Sequence, residues 1–302
     1  MADILIRAGC FIAIILLGAF LRKIGVFQRS DFNVLSKLLL KVALPATIIS
    51  GFAGKTIDAS LLSLALLGLG AGLLYMGLAW LLNRKQSKDR LAFDLVNLSG
   101  YNIGTFTLPF AQAFLGPAGV VVISLFDIGN ACICLGGSSS VAKMVKDGSK
   151  FSLKRLGLNL ARSAPLVCYL LMTVLSLAGV TLPSPIFSLA EIIGSSTAFL
   201  AMFMIGVGFR LETDRTQLGR ILRHLAVRYG VAILLALLFW FVLPFDQIVR
   251  KVLVILVFSP IGSAAPAYTG ELGEDVGLSS AINSMAIVIS IVVITVLLTV
   301  LP

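Results

Sequence analysis

The sequence predicts an all-α polytopic membrane protein. Of its 302 residues, 58% are hydrophobic and 13% are charged, and the mean hydropathy is +1.03. Soluble domains carry about 25% charged residues. A bilayer core is crossed by a helix of roughly 20 apolar residues. Ten segments meet this length, at residues 4–22, 33–53, 60–82, 91–114, 118–142, 155–179, 186–209, 219–243, 248–270 and 278–301.

A few charged side chains fall inside the predicted spans. Lys37 and Lys41 lie four residues apart on one face of span two. Snorkelling to the lipid headgroups is the favoured interpretation of both. Glu191, Arg162 and Arg228 lie nearer the ends of their spans, where an interfacial position or a structural ion pair is favoured. A functional role for these five residues stays open.

The loops alternate in positive charge, which predicts the orientation of the chain. Even-numbered loops hold only Lys55, Arg250 and Lys251, so the odd-numbered loops are expected to be cytoplasmic and both termini extracytoplasmic. The net charge of +10 is spread over these short loops, which favours loop charge over nucleic-acid binding. The odd-numbered loops hold Arg22, Lys23, Arg29, Arg84, Lys85, Lys88, Arg90, Lys143, Lys146, Lys150, Lys154, Arg155, Arg210, Arg215, Arg220 and Arg223.

The chain divides into two halves of five predicted spans, at residues 1–146 and 147–302. Five is odd, so the second half is expected to enter the membrane inverted, and the loop between spans five and six is cytoplasmic. A shift of 157 residues aligns the halves weakly, placing Pro109 on Pro266, Leu115-Gly116 on Leu272-Gly273 and Asn102 on Ser259. Inverted repeats with corresponding interrupted helices indicate a secondary transporter.

The first interruption is in span four. Asn102-Ile103-Gly104-Thr105-Phe106-Thr107-Leu108-Pro109 combines polar side chains with a glycine and a proline that weaken helix structure. Two half-helices with free backbone groups between them are predicted. Free N–H groups attract anions and free C=O groups attract cations. The alternative is a simple proline kink.

The second interruption is in span nine, at Ser259-Pro260-Ile261-Gly262-Ser263-Ala264-Ala265-Pro266. Two prolines six residues apart make a continuous helix improbable. The small residues around them permit close backbone crossing. Ser259, Pro260, Ser263 and Pro266 are therefore candidate substrate-site residues, together with Asn102, Gly104, Thr105, Thr107 and Pro109 of span four.

Span five carries Asp127 and Asn130 on one helix face, and the start of the span places Asp127 about 14 Å deep. A carboxylate near the bilayer midplane is a functional candidate, here for proton uptake or for holding a cation. The alternative is a structural acceptor for the N–H groups of a broken helix. The same shift places Asn283-Ser284 of span ten at the corresponding position, so Asn283 joins the candidate ion-coupling residues.

Signatures of enzymes are missing from the sequence. There is no H-E-x-x-H, G-x-S-x-G or G-x-x-x-x-G-K-[ST] motif. All four cysteines lie in apolar segments and are interpreted as small apolar residues, not disulfides or metal ligands. Neither an enzyme nor a bound metal or other cofactor is predicted.

Several stretches resemble the bacterial branch of the auxin efflux carrier family, which belongs to the larger group that includes the bile-acid/sodium symporters. The resemblance covers nearly the whole chain. It is carried by Lys37-Leu38 with Val42-Ala43-Leu44-Pro45-Ala46, Asn102-x-Gly104 with Leu108-Pro109, Leu125-Phe126-Asp127-Ile128-Gly129-Asn130, Ser259-Pro260 with Pro266-Ala267, and Glu271-Leu272-Gly273.

The resemblance implies that spans four and nine cross at their broken stretches. Spans three to five and eight to ten would form a moving transport domain, with spans one, two, six and seven as a scaffold compatible with a homodimer. Family substrates are small organic acids, and Asn102 matches an asparagine at the crossing. Thr105 and Thr107 depart from the bacterial pattern and Ile103 from the plant pattern, which leaves the substrate open.

These observations together predict a secondary transporter of a small organic anion in the cell membrane, working by alternating access, with a proton or sodium as coupling ion. A sodium-coupled symporter of a larger amphipathic acid is the alternative within transport. A membrane receptor that binds its ligand without moving it is the alternative from a different class. The direction of flux is open.

Overall fold

The computed structural model describes residues 2–209 and 217–301, and it is helical throughout. Arg210 and Arg215, two of the predicted cytoplasmic charges, lie outside the described residues. The described helices are α1 (Ala2–Lys23), α2 (Asp31–Leu38), α3 (Leu44–Gly51), α4 (Ser63–Asn83), α5 (Lys88–Leu98), α6 (Leu108–Cys132), α7 (Ser138–Asp147), α8 (Leu153–Arg162), α9 (Ala164–Leu177), α10 (Ser184–Gly194), α11 (Thr197–Gly208), α12 (Leu218–Phe241), α13 (Gln247–Val257), α14 (Ala265–Glu271) and α15 (Val276–Val300).

The length and composition of the helices confirm an all-α polytopic membrane protein. Seven helical stretches are long and apolar enough to span a bilayer, and the bent pair α8 and α9 brings the number to eight if it counts as one span. One of these stretches, Lys88–Asp147, has 60 residues and is interrupted at residues 99–102 and at Gly116, whose φ of 61° and ψ of −158° are not helical. The arrangement as ten spans in two inverted repeats stays a prediction.

Both spans are interrupted, but the first break lies before most of its predicted stretch. After α5 the chain leaves helical geometry at residues 99–102, then resumes as a π-helical turn, Ile103–Thr107, that leads into α6 and makes Gly104 and Pro109 helical. In the second half, α13 ends at Val257 and α14 begins at Ala265. Neither α13 nor α14 is long enough to cross a bilayer alone, because a helix rises about 1.5 Å per residue.

Positions 157 residues apart share two backbone features. Pro266 lies in the first turn of α14, where its missing N–H breaks no helical bond, and Pro109 lies in the first turn of α6, directly after the π-helical turn. Gly116 and Gly273 both have positive φ, at 61° and 69°, a region that favours glycine. These matches support the relation between the halves that the sequence shift suggested.

The segment predicted as one span at 155–179 differs from a single helix. The α8 axis is bent by 77° from that of α9, and α8 has no buried residue. The break lies at Ser163, whose hydroxyl accepts a hydrogen bond from Leu166 N at 3.4 Å as the cap of α9. Pro165 follows in the first turn of α9, where its missing N–H breaks no helical bond, so the new helix begins there.

Glycines allow two pairs of helices to approach closely. A Cβ on Gly129 of α6 would lie 1.8 Å from the Ala65 oxygen of α4, and one on Gly68 would lie 2.1 Å from the Phe126 oxygen. Small residues at such crossings are typical of membrane helix packing. Helix α1 packs on α11 in the same way through Gly18 and Gly206.

The helices pack in two groups. In one, α3 contacts α9 and α10, and α11 contacts α1 and α2. In the other, α4 contacts α5 and α6, α5 contacts α7 and α14, and α15 contacts α12, α13 and α14. Asn97 of α5 donates to Thr269 of α14 at 2.9 Å and accepts from Ser279 of α15 at 2.5 Å. Helix α6 lies between the groups, because it contacts α4 and α13 on one side and α3, α9 and α11 on the other. This grouping is consistent with a scaffold and a transport domain, whose relative movement stays a prediction.

We expect Gly129→Ala to destabilise the protein by about 1–3 kcal/mol, the usual cost of overpacking, because its methyl group must displace the α4 backbone. Gly70→Ala is the matched control, since a Cβ there meets nothing within 4 Å. Thermal unfolding of both purified variants in detergent is the measurement. Equal midpoints for the two would contradict the close packing of α4 and α6.

Candidate substrate site at the helix crossing

The two broken stretches lie directly against each other. The backbone N–H of Asn102 donates to the Pro260 carbonyl at 2.9 Å. The hydroxyls of Thr107 and Ser259 share a hydrogen bond of 2.5 Å, and both side chains are fully buried. The breaks of the predicted spans four and nine therefore meet at one point, which we call the crossing.

The break after α5 is stabilised by a side chain of α6. Gly100 has a φ of +79°, which turns the chain out of the helix. The Asn130 amide then pairs with the backbone of Tyr101, accepting from its N–H at 2.9 Å and donating to its C=O at 3.1 Å. Asn130 thus satisfies backbone groups that water cannot reach. Accepting a hydrogen bond from the N–H of a broken helix is the structural role that the sequence analysis gave as the alternative to ion coupling for this face of span five.

Arg228 is the main residue that the sequence interpretation placed wrongly. Its side chain is not interfacial but fully buried at the crossing, and it forms no ion pair with any described residue. Its Nη1 donates to the Leu98 carbonyl at 2.8 Å, and its Nη2 lies 2.8–3.0 Å from the carbonyls of Gly100, Ser259 and Pro260. The reason is that the carbonyls at the ends of α5 and α13 need donors inside the membrane.

Two tyrosines enclose the Arg228 guanidinium. Its central carbon lies 5.3 Å from the ring centre of Tyr75 and 5.1 Å from that of Tyr101, distances that permit cation–π attraction. The Tyr75 hydroxyl donates to the Arg228 carbonyl at 2.9 Å. One feature of the sequence could have indicated this buried position. Arg228 is the eleventh of the 24 residues of α12 and lies about 15 Å along the helix, close to its middle.

Two cavities adjoin the crossing, with volumes of about 260 and 490 Å³. Asn102, Thr105 and Ser263 line both of them. Gly104 lines only the larger cavity and Pro266 only the smaller one. The remaining predicted substrate residues line neither cavity and belong to the packing of the crossing: Thr107, Pro109, Ser259 and Pro260.

The predicted ion-coupling residues are divided between the two cavities. Asp127 lines the larger one, and its Oδ1 accepts a hydrogen bond of 2.8 Å from Asn130 Nδ2. The hydroxyl of Tyr169, which lines the same cavity, is buried next to the Asp127 carboxylate. Asn283 lines the smaller cavity. Asp127 and Asn283 therefore do not form one cluster.

Basic side chains outnumber acidic ones around both cavities. Among the described residues, the smaller cavity is lined by Arg22 and Arg29 and by no carboxylate. The larger is lined by three basic and two acidic residues, namely Lys41, Arg155, Arg162, Asp127 and Glu271. Arg155 and Glu271 pair at 3.1 Å, so the larger cavity keeps two basic side chains and Asp127. An excess of positive charge concentrates anions, and this small excess is compatible with an anion at the shared residues.

Asn102 is held so that its amide group faces the cavities. Its Oδ1 accepts a hydrogen bond from the Thr105 hydroxyl at 2.5 Å, and its backbone oxygen accepts from Thr107 Oγ1 at 3.2 Å. Within the described part of the chain, no acceptor is bonded to Asn102 Nδ2. An amide NH₂ group fixed in this way is a ready donor for a carboxylate oxygen.

We expect Asn130→Ala to lower the free energy of unfolding by about 1–3 kcal/mol for each backbone group of Tyr101 that loses its partner. Asn33→Ala, at an exposed position of α2, is the control. Thermal unfolding in detergent compares the two. A wild-type midpoint for Asn130→Ala would show that Asn130 does not support the break.

A comparison with known families agrees with the geometry. The chain matches no curated protein sequence at a significant level. A family model described as "Membrane transport protein" matches residues 10–301, which is nearly the full length and includes the crossing and both cavities. The family that this model represents is the auxin efflux carrier family. The chain therefore belongs to the auxin efflux carrier family of membrane transport proteins.

Proposed function

We propose that the protein is a secondary transporter of a small organic anion and that the substrate carboxylate binds at Asn102, Thr105 and Ser263. The observation that supports this most is that these three residues line both cavities at the crossing. Membership of a membrane transport family supports the coarser function.

The chemistry of the site suits a carboxylate better than a neutral or cationic solute. Asn102 Nδ2 and the hydroxyl of Ser263 are donors that face the cavities, and hydrogen bonds to a charged acceptor are stronger than neutral ones. The surrounding basic residues raise the local concentration of anions. The volume of the smaller cavity, about 260 Å³, fits a small acid with a few waters.

Alternating access requires contacts between the two helix groups that can break and re-form. Two hydrogen bonds of this kind hold the segment after the crossing: Arg7 of α1 donates to the Ala113 carbonyl at 2.9 Å, and Gln112 donates to the Gly194 carbonyl of α10 at 2.9 Å. We propose that these two bonds close the far side of the site in this conformation. They would break when the site opens there.

Asp127 is our candidate for coupling transport to protons. It lies at the wall of the larger cavity, and intramembrane carboxylates commonly serve proton relays. Its hydrogen bond to Asn130 links it to Tyr101 and so to the broken backbone. A change in the charge of Asp127 would therefore alter the hydrogen bonds that Asn130 makes to Tyr101 at the crossing.

We expect Asn102→Ala to reduce saturable carboxylate flux into proteoliposomes at least about tenfold, because a hydrogen bond to a charged group contributes roughly 1.5–3 kcal/mol. Radiolabelled mono- and dicarboxylates are the substrates to screen, and Asn33→Ala is the control. Unchanged flux would remove Asn102 from the site. Tight binding without counterflow in the wild type would favour a receptor over a transporter.

We expect Asp127→Asn to abolish uphill uptake driven by a pH gradient while exchange at equal substrate concentrations continues, because an amide cannot carry the proton. Glu191→Gln, at an exposed position of α10, is the control. Uptake and exchange are measured in the same proteoliposomes. Accumulation by Asp127→Asn at the wild-type level would exclude Asp127 as the coupling group.

A further inference from the structure

We infer that the Arg228 guanidinium is a built-in cation that takes the place of a coupling metal ion at the crossing, so that transport is independent of sodium. The inference deepens the proposed function and depends on it for its consequence in transport. Its structural part, the replacement of an ion by a side chain, rests on the crossing alone.

The oxygens bound by Arg228 are of the kind that a sodium ion would use. In transporters with broken helices, unwound carbonyls and the C-terminal ends of half-helices coordinate the coupling cation. Here the carbonyl of Leu98 ends α5, that of Gly100 lies in the break, and those of Ser259 and Pro260 follow α13. All four lie within 3.0 Å of Arg228 nitrogens.

Electrostatics require positive charge at this place. The C-terminal end of each helix carries a partial negative charge of about half an elementary charge. The ends of α5 and α13 meet at the crossing, so their partial charges add. Among the described residues, no carboxylate forms a salt bridge with Arg228. The helix ends are therefore the principal counter-charge of the guanidinium.

A free ion cannot easily displace this side chain. Arginine stays charged at any physiological pH, and its tether to α12 gives it a high effective concentration at the carbonyls. The rings of Tyr75 and Tyr101 cover the guanidinium, and its exposure is 0%. A second cation at the same oxygens would meet strong repulsion at low dielectric.

Arg228 also joins the two halves of the chain as a bound ion would. Nη1 bonds the first half at Leu98, and Nη2 bonds the second half at Ser259 and Pro260. An ion must enter and leave in each cycle, whereas the side chain remains. The crossing is therefore assembled in the empty carrier, and substrate binding needs no prior cation.

The first test uses the wild-type protein. We expect carboxylate flux into proteoliposomes to be unchanged when sodium is replaced by potassium or N-methyl-D-glucamine, and the unfolding midpoint of the purified protein to be unaffected by sodium. Flux that needs sodium, or a midpoint that rises with sodium, overturns the inference. Absence of flux for every carboxylate contradicts the proposed function instead. In that case the effect of sodium on the unfolding midpoint tests the inference by itself.

The second test is chemical rescue. Arg228→Ala leaves the four carbonyls without donors, and we expect its flux to fall at least about tenfold. Guanidinium at millimolar, non-denaturing concentration should restore flux and raise the unfolding midpoint of this variant. Arg84→Ala, which removes an exposed arginine that lines neither cavity, is the control and should show no response. A variant that folds but is rescued by no cation overturns the inference.

A third variant covers the case in which Arg228→Ala does not fold. Arg228→Lys keeps the charge, but a single ammonium has three donors for four carbonyls. We expect a lower unfolding midpoint than wild type and flux that still needs no sodium. Sodium dependence in Arg228→Lys, with the side-chain cation retained, would overturn the inference.

Discussion

Backbone groups inside a bilayer have no water to bond, and this constraint shapes the whole crossing. Where α5 and α13 end in the interior of the protein, every exposed carbonyl and N–H must find a partner there. Arg228 supplies donors for the carbonyls, Asn130 pairs with Tyr101, and Asn102 N bonds the opposite break. The broken helices are stable because these partners come from other helices, and the cavities exist because the helices are broken.

The polar residues of the crossing separate into two sets with different tasks. Thr107, Ser259 and Asn130 are committed to hydrogen bonds within the protein. Asn102 and Ser263 line both cavities. Asn130 also lines the larger cavity, but its amide is already bonded to Tyr101 and Asp127, whereas Asn102 Nδ2 keeps its donors for a ligand.

The sequence predicted those parts of the fold that depend on local chemistry. Proline and glycine at 260–266 predicted the second break, whereas the first lies at residues 99–102, just before Gly104 and Pro109, which are helical. The shift that aligned Gly116 with Gly273 led to two glycines with positive φ. The sequence could not predict partners distant in the chain. Arg228 lies 130 residues from Leu98, and nothing near it in the sequence indicates that contact. The division of Asp127 and Asn283 between two cavities likewise requires the packed helices.

A fixed positive charge at the crossing has a consequence for the response of the carrier to voltage. Asp127 and Arg228 lie on α6 and α12, both in the helix group proposed to move. With Asp127 ionised the two charges cancel, and a bound monocarboxylate makes the loaded carrier negative. With Asp127 protonated the empty carrier is positive and the loaded carrier neutral. Moving one charge through the membrane field is worth about 2.3 kcal/mol per 100 mV. The protonation of one side chain therefore decides whether the membrane potential acts on the loaded or the empty carrier.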